Sequence, residues 1–253
     1  MVPLRDRNPT RRTPWVTIAL ILVNVGVFLL VQQAGSTSEE QVQVIYERAA
    51  IPCEIVHQRP ITIHEINTDD CDNVGRLRQT PFPDKNVDFA ILVSLFLHAN
   101  WLHLGGNMLF LWIFGNNVED AMGAVRYLAF YIAAGLAATF AQLALDPASI
   151  APLIGASGAI AGVMGAYLIW YPRAPILTWL SFLLIVVTYV PAWVVLVFWF
   201  VSQFFTGDTG GVAWMAHVGG FGFGVLVAAG VRNTTWFRRR ASRTLPYGFS
   251  STF

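Results

Sequence analysis

Apolar residues in this chain come in blocks, separated by turn-prone or charged residues, and not in strict alternation with polar ones. The blocks occupy residues 15–32, 101–118, 125–145, 157–171, 191–205 and 214–231. About 20 helical residues cross the roughly 30 Å hydrocarbon core of a bilayer. Only helices and closed barrels satisfy their own backbone polar groups in lipid. The lack of period-two alternation predicts helices, so the pattern reads as six spans. The run from Ala174 to Phe205 is too long for one upright span. Pro191 divides it, which makes 191–205 the span and the stretch before it an interfacial connection; two tight spans there would make seven.

Composition agrees with this pattern: 55% of residues are hydrophobic, 12% are charged, and the mean hydropathy is +0.54. That is the makeup of a membrane protein, not of an ordinary soluble domain. A net charge of +1 gives no sign of nucleic-acid binding. Arginine placement decides between six and seven spans, because short cytoplasmic segments collect Lys and Arg. With six spans and both termini inside, Arg5, Arg7, Arg11, Arg12, Arg126, Arg173, Arg232, Arg238, Arg239, Arg240 and Arg243 all fall on the cytoplasmic side. The outer segments 146–155 and 206–211 contain no Lys or Arg. Seven spans would move the C-terminal arginines outside, so six is preferred. The expected organisation is a cytoplasmic segment 1–14, a transmembrane domain 15–231 and a basic cytoplasmic tail 232–253. The first apolar run is longer than the roughly 7–15 residues of a signal peptide and reads as a retained helix.

One long loop, 33–100, separates the first two spans and faces outward in this topology. Its later part, 89–97, is apolar again and reads as interfacial. Both cysteines, Cys53 and Cys71, lie in this loop. In an oxidising space they read as a disulfide, with two free thiols as the alternative. His57 and His64 lie between them without zinc spacing and read as solvated side chains.

Polar and ionisable groups inside a bilayer are costly, so the few that occur there point to a role. Ser157, His103, Asn107 and His217 are such groups, and the six-span order puts all four near the outer face. His217, Gly220 and Gly224 share one face of the sixth span, while Gly158, Ala161, Gly162 and Gly165 form a stripe beside Ser157 on the fourth. Small-residue stripes allow close backbone approach in lipid. Such packing is expected to bring His217 to Ser157. A serine hydroxyl becomes a useful nucleophile when a neutral histidine accepts its proton. The helix start at Ser157 offers free N–H groups and a positive dipole end to an oxyanion, and His103 and Asn107 at i and i+4 add side-chain donors. Asp146 and Asp208 read as solvated loop charges, so a Ser-His dyad is expected rather than a triad.

Three motifs carry a resemblance: HANWLHLGGN at 98–107, GASG at 155–158 and HVGGFGFG at 217–224. In this order they resemble the rhomboid family of intramembrane serine proteases, over roughly the second to sixth spans. The resemblance implies an all-α, six-helix rhomboid-like bundle with Ser157 as nucleophile and His217 as general base. It also implies an oxyanion site from the Ser157 backbone with His103 and Asn107, no cofactor and no metal, and substrates that are transmembrane segments of other proteins within membrane lipid. His98 matches a structural histidine and Glu119 a buried acid at the inner end of the second helix. Phe89-Ala90 replaces a Trp-Arg pair of some members, and Ala161 stands where some carry a tyrosine stacked on the histidine. An inactive, client-binding relative is the alternative, and a channel or transporter is a further rival that lacks a visible inverted repeat. Short termini without a transit segment give the expectation of a prokaryotic plasma membrane.

Overall fold

The computed structural model describes residues 1–32, 37–71, 79–181, 185–206 and 213–238. Its first helix, α1 (Trp15–Val27), continues through a π-helical turn at Phe28–Gln32. Pro14 supplies no side-chain cap to its start. Glu119 does so instead: the backbone N–H groups of Val16 and Thr17 donate to its two carboxylate oxygens at 3.0 and 2.8 Å, and the Thr17 hydroxyl donates at 2.8 Å. A carboxylate suits the positive end of the α1 dipole and the orphan amides of its first turn.

Between α1 and the next long helix the described residues form four short helices, α2 (Ser38–Arg48), α3 (Pro52–His57), α4 (Ile63–Thr68) and α5 (Val87–Ser94). Capping boxes start α2 (Thr37 with Glu40) and α4 (Thr62 with Glu65). Arg59 grips Glu65 through two hydrogen bonds of 2.8 and 2.6 Å. Lys85 meets Glu54 at 2.5 Å, both side chains being buried. Burial is the main force on both, raising the Glu54 pKa and lowering that of Lys85, and each charge opposes the other's shift. Cys53 and Cys71 form a disulfide. With so few apolar residues in this insertion, the crosslink and the ion pairs supply order that a small core lacks.

The remaining helices build the body of the molecule. α6 (Trp101–Phe110) runs through a π-helical stretch, Leu111–Gly115, into α7 (Asn116–Met122). Gly123 turns the chain into α8 (Ala124–Leu145), followed by α9 (Ser157–Trp170), α10 (Ala192–Thr206) and α11 (Trp214–Val231). Among the described residues three helices are long and apolar enough to cross a membrane, Trp15–Gln32, Ala124–Leu145 and Trp214–Val231, and two shorter apolar helices are α9 and α10. α9 is enclosed, with Tyr167 and Trp170 fully buried against α6–α7, α8 and α11.

The interfacial connection expected before Pro191 is a β-hairpin, and this corrects the prediction of helices alone. β2 (Pro175–Ser181) and β3 (Ile185–Pro191) pair antiparallel, and β1 (Val2–Asp6) adds to β2 on its other edge. Residues 185–190, Ile-Val-Val-Thr-Tyr-Val, are nearly all β-branched or aromatic and favour a strand. Their largely apolar character, broken only by Thr188, hid the period of two.

Candidate active site

Gly155, with φ +115°, turns the chain into α9 two residues before Ser157. Only glycine adopts that conformation without strain. The segment leading to it is tied to the insertion: the Leu153 N–H donates to the Ala50 carbonyl at 2.8 Å, and the Cys53 N–H donates to the Ser149 carbonyl at 3.0 Å. The Gly155 N–H donates to the Ser94 carbonyl at 2.9 Å.

At the head of α9, Ser157 Oγ lies 2.8 Å from His217 Nε2. Glycine contacts between α9 and α11 make that distance attainable. A Cβ on Gly224 would sit 1.9 Å from the Gly162 carbonyl oxygen, and one on Gly220 would sit 2.1 Å from that of Gly158. Gly158 and Gly162 are closed on a second side as well, where added methyl groups would lie 2.5 Å from the Cβ atoms of Ala138 and Ala134 on α8. The small-residue stripe therefore serves two neighbours, α8 and α11, where the sequence pointed to one.

His103 lies on α6 beside this pair. Its Nδ1 accepts the Ala99 N–H at 3.3 Å, which leaves Nε2 as the protonated nitrogen of a neutral ring. A Cβ on Gly155 would lie 2.8 Å from that Nε2 and 3.5 Å from Ser157 Oγ, so the imidazole edge rests over Gly155 next to the serine. Asn107, one turn further along α6, is buried, and its Nδ2 has no hydrogen-bond partner among the described residues. No direct bond joins Asn107 to Ser157 among those residues. A cleft of about 30 Å³ bordered by Leu95, Leu153, Gly155, Ser157 and Ala216 has room for a water or two.

The ring of His98 stacks edge-on against His103 with centroids 5.1 Å apart. Its backbone is held by Gln32, which accepts its N–H at 2.9 Å and donates to its carbonyl at 2.8 Å. Burial, aided by His103, pushes its pKa down to about 4, so it is neutral at ordinary pH. His57 lies beside the Cys53–Cys71 bond, whose bridged sulfurs are not thiolates. Asp146 is exposed, and Asp208 lies outside the described residues.

Sequence reasoning missed a residue here. His217 Nδ1 is 2.6 Å from Gln203 Oε1 on α10. Gln203 is buried in a mainly apolar helix, and as the lone amide there it was the signal the sequence offered. Trp199, one turn before it, lies 5.7 Å from the His217 ring. The aromatic neighbour that Ala161 cannot provide thus comes from α10.

A family model for the rhomboid domain matches residues 88–234. Rhomboid protein 1, mitochondrial, of Saccharomyces cerevisiae is 36% identical over 92 residues, covering 35% of this chain and 27% of that protein. RHOMBOID-like protein 6, mitochondrial, of Arabidopsis thaliana is 25% identical over 167 residues, covering 65% and 54%. Rhomboid protease GluP of Bacillus subtilis is 40% identical over 80 residues, covering 32% and 15%. The chain thus spans about half or less of the length of these relatives. Names marking mitochondria or chloroplasts recur among the similar proteins and point to organellar membranes. They overturn the expectation of a prokaryotic plasma membrane with cytoplasmic termini. The prokaryotic reading rested on short termini and the lack of a transit segment, and the orientation on arginine placement, none of which carries physical information about which membrane holds the helices.

Proposed function

The chain belongs to the rhomboid family, and from that premise we propose that it is an intramembrane serine endopeptidase acting on transmembrane segments of other proteins. The observation that carries this reading is the 2.8 Å contact between Ser157 Oγ and His217 Nε2 at the start of a buried helix. The family includes proteases, GluP among them.

In the proposed reaction His217 Nε2 accepts the Ser157 hydroxyl proton as Oγ attacks the carbonyl carbon of the scissile peptide bond. Negative charge then develops on the carbonyl oxygen. The Ser157 backbone N–H, the His103 Nε2–H and the otherwise unpartnered Asn107 Nδ2 are the donors that meet it. His217 passes its proton to the departing amine nitrogen, leaving an ester on Ser157. A water, activated by the same imidazole, hydrolyses the ester and restores the hydroxyl. The donor set is nitrogen and hydroxyl groups alone, and the chemistry requires no cofactor or metal.

The same reading includes a six-span core over 15–231, made by α1, α6–α7, α8, α9, α10 and α11, with the long first loop as the folded insertion. The short segment 1–14 and the described start of the basic tail, 232–238, flank it on the face opposite the site, beside lipid headgroups. Shared burial of α9 by its neighbours and the apolar surface of the outer helices support that arrangement.

The test is cleavage of a single-span substrate protein co-reconstituted with the full chain in liposomes. The parent is expected to cut within or next to the span, and Ser157→Ala to lower the rate by about 10³-fold or more. Cleavage by Ser157→Ala at the parent rate would refute the assignment.

A further inference from the structure

Two observations about Gln203 go beyond its nearness to His217. Its Nε2 donates to the Trp199 carbonyl at 3.0 Å and to the Ser202 hydroxyl at 3.3 Å. The Ser202 hydroxyl in turn donates to the same Trp199 carbonyl at 2.6 Å. The amide oxygen and nitrogen are not interchangeable here, because turning the group over would aim its oxygen at a carbonyl that only accepts. The amide oxygen therefore faces His217 Nδ1, at 2.6 Å.

An amide oxygen is only an acceptor, so Nδ1 must carry the hydrogen. A neutral imidazole protonated at Nδ1 presents a lone pair at Nε2. Nε2 is the nitrogen that meets Ser157 Oγ. The opposite tautomer would donate to the serine oxygen and could not take its proton. We infer that Gln203 is a positioning residue for the reaction, holding His217 in the one tautomer and ring orientation in which it serves as general base. The inference rests on the proposed Ser-His reading and adds a third, uncharged member to it, contributed by α10.

The choice of an amide follows from the surroundings. A carboxylate at this buried point would require a partner or carry a large desolvation cost. Glutamine fixes the tautomer without that cost but stabilises the imidazolium less than a carboxylate does. The other titratable group exerting a field on His217 among the described residues is His103 on α6; the neighbours on α9 and α10 are the uncharged Ser157, Gln203 and Trp199.

The test compares Gln203→Leu and Gln203→Glu in the full chain by the rate of fluorophosphonate labelling as a function of pH, with thermal midpoints recorded beside it. Gln203→Leu keeps the bulk and removes the acceptor. It is expected to label about 10–100-fold more slowly near neutral pH, by comparison with the loss seen when the hydrogen-bond partner orienting a metal-ligating histidine is removed. Gln203→Glu accepts the same N–H and is expected to label faster than Gln203→Leu. Its acid limb should move to higher pH, because a carboxylate favours the imidazolium. Labelling of a folded Gln203→Leu within about twofold of the parent, or equal slowing in both variants with an unmoved limb, overturns the inference. If Gln203→Leu does not fold, the Gln203→Glu limb decides alone, and an unmoved limb overturns it. Persistent labelling of Ser157→Ala would instead overturn the underlying protease reading, so the two failures are distinguishable.

Discussion

Asp6 ends β1 on the side of the molecule away from Ser157, where it accepts hydrogen bonds from Asn117 Nδ2 at 2.7 Å and the Tyr167 hydroxyl at 3.0 Å. Burial raises its pKa from 3.8 to about 6, against the opposing pull of the Tyr167 and Asn117 hydrogen bonds and of Arg5. A carboxyl whose folded pKa lies above its unfolded value holds its proton longer in the native state. The contribution of Asp6 to stability is therefore greatest below about pH 4 and declines as pH rises towards about 6, flattening beyond it. Asp6→Asn keeps an oxygen acceptor and has no proton to lose. The stability of the parent should fall relative to Asp6→Asn between pH 4 and 6 by an amount on the order of 1–2 kcal/mol, read as a falling difference in thermal midpoint. Parallel midpoint curves would contradict the raised pKa. Residues of this kind are poorly legible in sequence. Ser157 and His217 stood out as polar groups in apolar helices, whereas Asp6 sits in a mixed polar segment, and its environment comes from side chains more than 100 positions away. Gln203 was visible as a buried-helix amide, but its meaning depended on which ring nitrogen it faced, a matter of geometry alone.

Among the elements, α9 and α11 approach closely enough for their backbones to touch at the glycines. Gly224 is the tightest point, where an added methyl would meet the Gly162 carbonyl oxygen at 1.9 Å, and Gly222 on the same helix has nothing within 4 Å of that position. Gly224→Ala must push the helices apart, at a cost of about 1–3 kcal/mol or more, and the separation would pull His217 from Ser157. A lowered thermal midpoint and a marked loss of fluorophosphonate labelling are expected for Gly224→Ala, with Gly222→Ala close to the parent in both. Equal behaviour of the two variants would show that close approach at Gly224 does not set the site. Helical stripes were readable because their period of 3.6 survives in the sequence. The β-hairpin was not, since residues 185–190 are apolar on both faces, and β1 pairs with β2 from the far end of the chain. The two-sided use of Gly158 and Gly162 was equally hidden, because spacing says which face is small without saying how many partners reach it.

Across the whole molecule, two parts with different physical character meet at the serine. The helical body holds Ser157 and His217 by close packing, and the insertion, ordered by its disulfide and buried ion pair, holds the segment before Ser157 through backbone bonds from the Leu153 N–H to the Ala50 carbonyl and from the Cys53 N–H to the Ser149 carbonyl. The body was largely legible, because burial in an apolar phase imposes long uniform runs. The insertion's cysteines and caps could be read too, but its attachment could not, since backbone-to-backbone bonds leave no side-chain signature. Everything proposed for the protein converges on one bond-forming event at one oxygen. The most direct measurement is peptide mapping by mass spectrometry of the intact chain after exposure to a fluorophosphonate. A single adduct on the peptide containing Ser157, absent from His217→Ala, is the predicted result. An adduct on another residue, or equal modification of Ser157 when His217 is replaced, would contradict the account.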